Sequence, residues 1–317
     1  MNLQAAKTME DRVSAADAAN ATRVLLGDLI DYAGLFPPAS LSMAEAVANY
    51  NSYSQSQWKW MLGSFIVPAA RLNEFEEAFA GLSAASPETN FSNWRLSALL
   101  GPDAGSDVAR IGEFNSRITR SRRGATVASV EVKDASAAEI TRLSNIIPSE
   151  LATYFEVTPE DSGECIAEMS RCGRRAKIRT GGETADKFPT AESVVEFIRV
   201  CAASNVPFKA TAGLHHPLRS VHRLTYRPDS PSGVMHGFVN VFVAAAFLRA
   251  GMNAALALEL LKEESSQAFQ FAADTISWRE HRLSQQEIAV ARAGFAVSFG
   301  SCSFTEPIDD LRSLHLL

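Results

Sequence analysis

The segment Ala128-Ser129-Val130-Glu131-Val132-Lys133 alternates strictly between apolar and polar side chains, and its reading decides the fold. A strand sends successive side chains to opposite faces, so Ala128, Val130 and Val132 share one face and Ser129, Glu131 and Lys133 the other. Outward from this segment, short apolar runs recur at Met61–Val67, Trp94–Leu100, Ala125–Val132, Leu151–Val157, Ala176–Thr180, Pro207–Ala212 and Phe238–Val243. Segments of helical period separate them: Arg71–Ala84, Ser106–Ser121, Ala135–Ile147, Asp161–Cys172 and Thr190–Ser204. Helix-start chemistry stands at Pro189-Thr190-Ala191-Glu192-Ser193 and at Thr158-Pro159-Glu160-Asp161.

Alternation of this kind predicts an α/β protein with a parallel sheet. Seven strands are readable, and an eighth near Leu29–Gly34 is short enough to be the end of a helix instead. Eight units close a (β/α)8 TIM barrel, and an open doubly wound sheet is the alternative. No G-x-G-x-x-G turn follows the early strands, which weakens the dinucleotide-binding version, and no cofactor is called for. Ala244–His281 reads as one or two long helices, and Phe295–Phe304 as an extra strand or a loop. The expected layout is a flexible segment over residues 1–21, then one barrel domain over 22–317 with a C-terminal helical extension.

Composition bounds the function. The chain has 317 residues, 46% of them hydrophobic, and a net charge of −6. That charge gives no reason to expect nucleic acid or an anionic membrane as partner. Cys165, Cys172, Cys201 and Cys302 form no C-x-x-C pair and no zinc spacing, so they read as reduced, mostly buried thiols. Met1–Ala21 lacks the apolar core of a secretory signal, and Phe238–Leu248 is about half the ~20 residues a membrane span requires. A soluble, cytoplasmic protein without metal is expected, and homo-oligomerisation is left open.

Strands of a parallel barrel should be apolar on both faces, so polar residues at every second position are informative. Besides Ser129, Glu131 and Lys133, the same parity turns Tyr154, Glu156 and Thr158 inward, then Lys177 and Arg179, then Lys209 and Thr211, then Asn240. A satisfied structural ion network is the plain alternative. Buried ions are costly, however, and these cluster near the C-terminal strand ends, where barrel active sites lie. The inward set holds two acids, Glu131 and Glu156, against four bases, Lys133, Lys177, Arg179 and Lys209, a balance that favours a small anionic ligand.

With Lys177-Ile178-Arg179-Thr180-Gly181-Gly182 and Lys209-Ala210-Thr211-Ala212-Gly213-Leu214 on successive strands, the chain resembles deoxyribose-phosphate aldolase, of the class I aldolase superfamily. Ile30-Asp31-Tyr32, with Leu35, Pro37 and Ser40 after it, resembles that family's first strand, and Phe155-Glu156-Val157-Thr158 its Glu-Thr strand end. The resemblance implies that Lys177 is the Schiff-base lysine, Lys209 the cation that lowers its pKa, and Glu131 and Asp31 the proton-transfer groups. It implies that Gly181, Gly182 and Gly213 allow close backbone approach to an anion. Arg179 stands in place of a small residue, Ala152 in place of a further lysine, and Asn240 and Phe242 in place of a phosphate loop. A carboxylate or an unphosphorylated carbonyl compound is therefore open as substrate.

His215 and His216 have no counterpart in that family and could bind metal, move protons or hydrogen-bond loop backbone. Leu218–Met235, with His222, Tyr226, Arg227 and His236, reads as a lid, and Leu35–Pro38 as a pocket wall or a barrel-bottom turn. Ser301-Cys302-Ser303 reads as structural. Three functions compete: a Schiff-base lyase or isomerase on Lys177, a barrel enzyme that clamps an anion without covalent chemistry, and a silent metabolite-binding barrel.

Overall fold

The structure is a computed structural model that describes residues 20–85, 94–121, 124–159 and 162–317. Seven strands follow one another in the order anticipated: β1 (Ile30–Tyr32), β2 (Leu62–Pro68), β3 (Trp94–Leu99), β4 (Ala125–Val132), β5 (Ala152–Val157), β6 (Arg175–Arg179) and β7 (Phe208–Thr211). From β2 to β7 their ends differ from the sequence expectation by no more than one residue. The chain then leaves the barrel. β8 (Ser220–Arg223) and β9 (Ser232–Met235) pair as an antiparallel hairpin, and β10 (Phe269–Phe271), β11 (Thr275–Trp278) and β12 (His281–Ser284) form a small antiparallel sheet. β13 (Ala296–Ser301) returns to the barrel and pairs parallel with both β7 and β1. The closed order is β1-β13-β7-β6-β5-β4-β3-β2. This is the (β/α)8 barrel, with the helix Thr305–Ser313 at its C-terminal side.

Several expectations are corrected. Phe238–Val243 is not a strand; it opens the helix Phe238–Arg249, every residue of which up to Phe247 is buried. A helix that is apolar all round belongs in a core, and a short apolar run without periodicity cannot be told from a buried strand. The eighth strand is β13, which the sequence left as strand or loop, while the short Ile30–Tyr32 run is a true strand and becomes the first. Of Ala244–His281 only the first part is helical, over the rest of Phe238–Arg249 and over Ala254–Leu261. The segment expected to be flexible lies outside the described residues up to residue 19, whereas Ala21 already begins the helix Ala21–Leu26 and is fully buried.

The outward face of the strands supplies the core, as the parity argument requires. Val130, Phe155, Ile178, Ala210 and Phe299 are fully buried beneath the helices. Between β1–β3 and their helices lies an aromatic group in which Tyr50 meets Trp94 at 4.6 Å and Phe65 at 5.5 Å, both edge-on. Among the described residues capping boxes start helices at Ser42/Glu45, Ser136/Glu139 and Ser284/Glu287, and Thr190 accepts from the Ser193 N–H as its position suggests. Glu160 and Asp161, of the other expected cap, lie outside the described residues. No helix among the described residues is long and apolar enough to cross a membrane.

Candidate functional site

The inward face of the strands carries a layer of ionised side chains across the middle of the barrel. Asp31 on β1 accepts from the Ser64 N–H at 2.6 Å, from Ser298 Oγ at 2.7 Å and from Lys209 Nζ at 2.8 Å. Glu131 on β4 accepts from Lys209 Nζ at 2.6 Å and Ser97 Oγ at 2.8 Å through Oε1, and from Lys177 Nζ at 2.8 Å through Oε2. Glu156 on β5 accepts from Arg179 Nε at 3.0 Å through Oε1. Its Oε2 lies 2.8 Å from Lys177 Nζ, but at an angle outside hydrogen-bond geometry, so no donor is aligned on that buried oxygen. Three carboxylates thus face three cations: Asp31 joins the acids, and Lys133, the fourth base expected from the sequence, stands outside the layer at the mouth of the cleft.

Charge of both signs survives burial here because each group is compensated by its neighbours. Burial opposes the ionised form of Glu131, but Lys177 and Lys209 outweigh it and hold the carboxyl well below its ordinary range. Glu156 is lowered in the same way, with burial overcome by Lys177 and Arg179. Burial opposes a charged Lys209, yet Asp31 and Glu131 outweigh it and raise its pKa, and the Tyr154 ring lies 5.0 Å from its ammonium. Lys209 therefore stays cationic. Its role as a repelling neighbour that lowers the pKa of Lys177 is not what the geometry offers, because Glu131 stands between the two ammonium groups.

The ion layer separates two cavities. One, of about 760 Å³, opens at the C-terminal ends of the strands, and Glu131, Lys133, Glu156, Lys177, Arg179 and Thr211 line it. The other, of about 460 Å³, opens at the opposite end and is lined by Asp31, Ser129, Tyr154, Lys209 and Ser298. The sequence placed Lys209 in one cavity with Lys177. The two residues are register partners on the same face, but barrel strands tilt, so in-register neighbours step along the axis.

Other expected site residues divide likewise. Gly182, Gly213 and His215 line the upper cleft. Gly181 serves loop packing rather than an anion: a Cβ there would lie 2.5 Å from Phe188 Cε1 and 2.8 Å from Gly213 Cα. Asn240 lies away from both cavities in the first turn of Phe238–Arg249. Its side chain accepts from the Arg219 N–H at 2.9 Å and donates to the carbonyls of Leu260 and Glu263 at 2.8 and 2.9 Å, so it is a structural tie. Lys133 is exposed at the mouth of the cleft and, among the described residues, makes no ion pair.

The expected lid is the β8–β9 hairpin, whose Leu224 and Met235 flank the cleft together with Phe36, Pro37 and Pro38 of the wall after β1. Its seat was not legible from the sequence. His215 Nδ1 lies 3.1 Å from Glu306 Oε2, and His216 Nδ1 lies 2.5 Å from Asp310 Oδ2, both acids belonging to Thr305–Ser313. The His222 ring of the hairpin stacks on His216 at 3.3 Å, and the Tyr226 hydroxyl donates to Glu306 at 3.1 Å. Burial pushes His222 below the ordinary histidine pKa, and His216 adds to the shift. Cys302, read as structural, is buried at the edge of the cleft 3.4 Å from the Tyr226 hydroxyl. Among the described residues no three His, Cys, Asp or Glu side chains come together as a metal site. Comparison with known proteins returns no matching family model, no curated relative and no similar solved structure.

Proposed function

We propose that the chain is an aldolase-like Schiff-base lyase that acts on a small anionic carbonyl compound through Lys177. The division of labour between neighbouring lysines carries this reading: Lys209 is anchored between Asp31 and Glu131, and Lys177 alone of the two borders the upper cleft. An amine attacks a carbonyl only when neutral, so its proton needs a destination. Glu156 Oε2, 2.8 Å from Lys177 Nζ with no aligned donor, is the nearest acceptor with spare capacity. The amine lone pair adds to the carbonyl carbon, and the carbonyl oxygen takes two protons and leaves as water while the C=N bond forms. The iminium then draws in the electron pair of the bond between its α-carbon and the hydroxyl-bearing β-carbon as the β-hydroxyl proton passes to a carboxylate. One carbonyl fragment departs, the enamine takes up a proton at carbon, and hydrolysis restores Lys177.

Arg179, a fixed donor fork, and Lys133 at the mouth are the partners for the anionic group. The resemblance of the Lys177 and Lys209 segments to deoxyribose-phosphate aldolase adds support. All four cysteines are free, which suits a reducing, cytoplasmic setting. One observation favours a second reading: Lys177 Nζ lies 2.8 Å from a carboxylate oxygen of both Glu131 and Glu156, which suits a non-covalent clamp with His215 as the proton carrier. Borohydride reduction in the presence of a panel of carbonyl compounds, with the adduct mapped by mass spectrometry, separates the two. Schiff-base chemistry requires an adduct on Lys177 that is absent from Lys177→Met. Turnover without any adduct selects the clamp.

A further inference from the structure

The barrel mouth is divided into two unlike halves. Around the closed order, β4 to β7 are neighbours and carry Glu131, Lys133, Glu156, Lys177, Arg179 and Thr211 into the cleft. The other four strands, β13, β1, β2 and β3, are also neighbours, and at the same height they or their immediate extensions present Gly300, Ala33, Ile66 and Leu99. Among the described residues no ionisable side chain from that half lines the upper cleft except Cys302, whose thiol is pushed up by burial and so stays neutral. The seams are close: Leu99 is the register partner of Glu131, and Gly300 that of Thr211. Gly300 also keeps this side open, since a Cβ there would lie 3.2 Å from Ile66 Cδ1 and 3.5 Å from Thr211 Oγ1. Phe36 and the hairpin residues Leu224 and Met235 extend the apolar surface upward.

A sugar or a polyol would leave its hydroxyls unpaired against such a wall, at a cost comparable to lost hydrogen bonds. We propose that the substrate is an amphipathic carbonyl compound. Its carbonyl and anionic end occupy the β4–β7 half, and an alkyl or aryl group of several carbons seats against Ile66, Leu99 and Gly300. The proposal builds on Lys177 as the attacking amine, but the apolar seat is testable without it. A cleft of about 760 Å³ is large for a small oxo acid and accommodates such a tail.

The test is calorimetric titration with two carboxylates that have no carbonyl group, propanoate and 3-phenylpropanoate. The wild-type chain should bind the aryl probe at least about tenfold tighter. Leu99→Asn should reduce that preference to about threefold or less, and Leu99→Met should keep most of it. Gly300→Ala, which meets only side-chain ends, is the second variant and should also shrink the ratio. Equal affinity for the two probes, no binding of either at millimolar concentration, or a ratio untouched by both Leu99→Asn and Gly300→Ala would overturn the proposal. Borohydride trapping with pyruvate and phenylpyruvate is run alongside. An intact aryl preference with no adduct on Lys177 rejects the lyase and keeps the apolar seat; an adduct with no aryl preference does the reverse.

Discussion

Glu131 bridges two lysines on neighbouring strands, with Oε2 2.8 Å from Lys177 Nζ and Oε1 2.6 Å from Lys209 Nζ. One carboxylate thereby joins the floor of the upper cleft to the ceiling of the lower cavity. The two bonds differ in consequence. Lys177 borders the upper cleft, whereas Lys209 is enclosed by Asp31, Glu131 and the Tyr154 ring.

Lys209→Met should therefore be a stability variant before it is a functional one. It leaves Asp31 and Glu131 buried with one fewer counter-charge, and removal of one partner of a buried pair costs about 3–5 kcal/mol. The double variant Asp31→Asn/Lys209→Met should recover part of that loss, because removal of one anion with the cation returns the layer to charge balance. Urea unfolding of the wild-type chain and both variants reads this out; equal stability of Lys209→Met and wild type would contradict the anchoring role.

Acid should unfold the barrel through its middle. Glu131 and Glu156 both have folded pKa values below the ordinary 4.5. Their stabilising contribution is complete above that value and is lost as pH falls through the lower folded values, because the unfolded chain then binds more protons. The steep fall in melting temperature should begin below about pH 5, beyond any smaller loss from His222 between pH 7 and that point. Glu156→Gln should melt lower at neutral pH and show a shallower acid slope.

The hairpin should loosen under milder acid than the barrel. His222 is depressed from the ordinary 6.5, so the seated hairpin favours its neutral form. That contribution is present above 6.5 and is lost as pH falls toward the folded value. The groups facing the stack are His215 and His216 after β7, Ser220 on the hairpin, and Glu306 and Asp310 on the C-terminal helix. Hydrogen exchange of Ser220–Met235 should quicken between pH 7 and pH 5.5 relative to the barrel strands, after correction for intrinsic rates. Tyr226→Phe, which loses the bond to Glu306, should quicken it at neutral pH by about 0.5–1.5 kcal/mol of opening free energy.

Asn240→Ala should separate structure from chemistry. The side chain makes two donations to carbonyls and one acceptance from the Arg219 N–H, so its removal should cost about 2–4 kcal/mol. It touches neither cavity, so reductive trapping on Lys177 should persist in the folded fraction. Loss of trapping without loss of stability would return Asn240 to the site.

Much of this was legible because parity is local. In β4, β5, β6 and β7 an apolar residue at every second position fixed the outward face, and Glu131, Glu156, Lys177 and Lys209 followed as inward residues. Height along the barrel axis was not legible, since tilt belongs to the closed sheet and not to any one strand; hence Lys209 and Asp31 line the lower cavity rather than standing beside Lys177 in the cleft. β13 was left between strand and loop because Ala296-Val297-Ser298-Phe299-Gly300-Ser301 is rich in small residues and poor in β-branched ones, whereas the apolar Phe238–Val243 run imitated a buried strand. The Asp31–Ser298 bond, between positions 267 residues apart, has no local signature at all. The apolar half of the mouth was hidden for the same reason: Ile66 and Leu99 look like ordinary core until the partner strands are known.

The late return of β13 also bears on how the protein is made. A ribosome that has released the chain through residue 295 has already produced every other barrel strand, with β1 and β7 as unpaired edges and Asp31 without Ser298. Open edges recruit other strands, including those of neighbouring nascent chains. At ~5–20 residues per second, translation of residues 212–295 keeps those edges exposed for roughly 4–17 s. Slow codons within that stretch should lower the yield of folded protein, and the same codons placed after Ser301 should not.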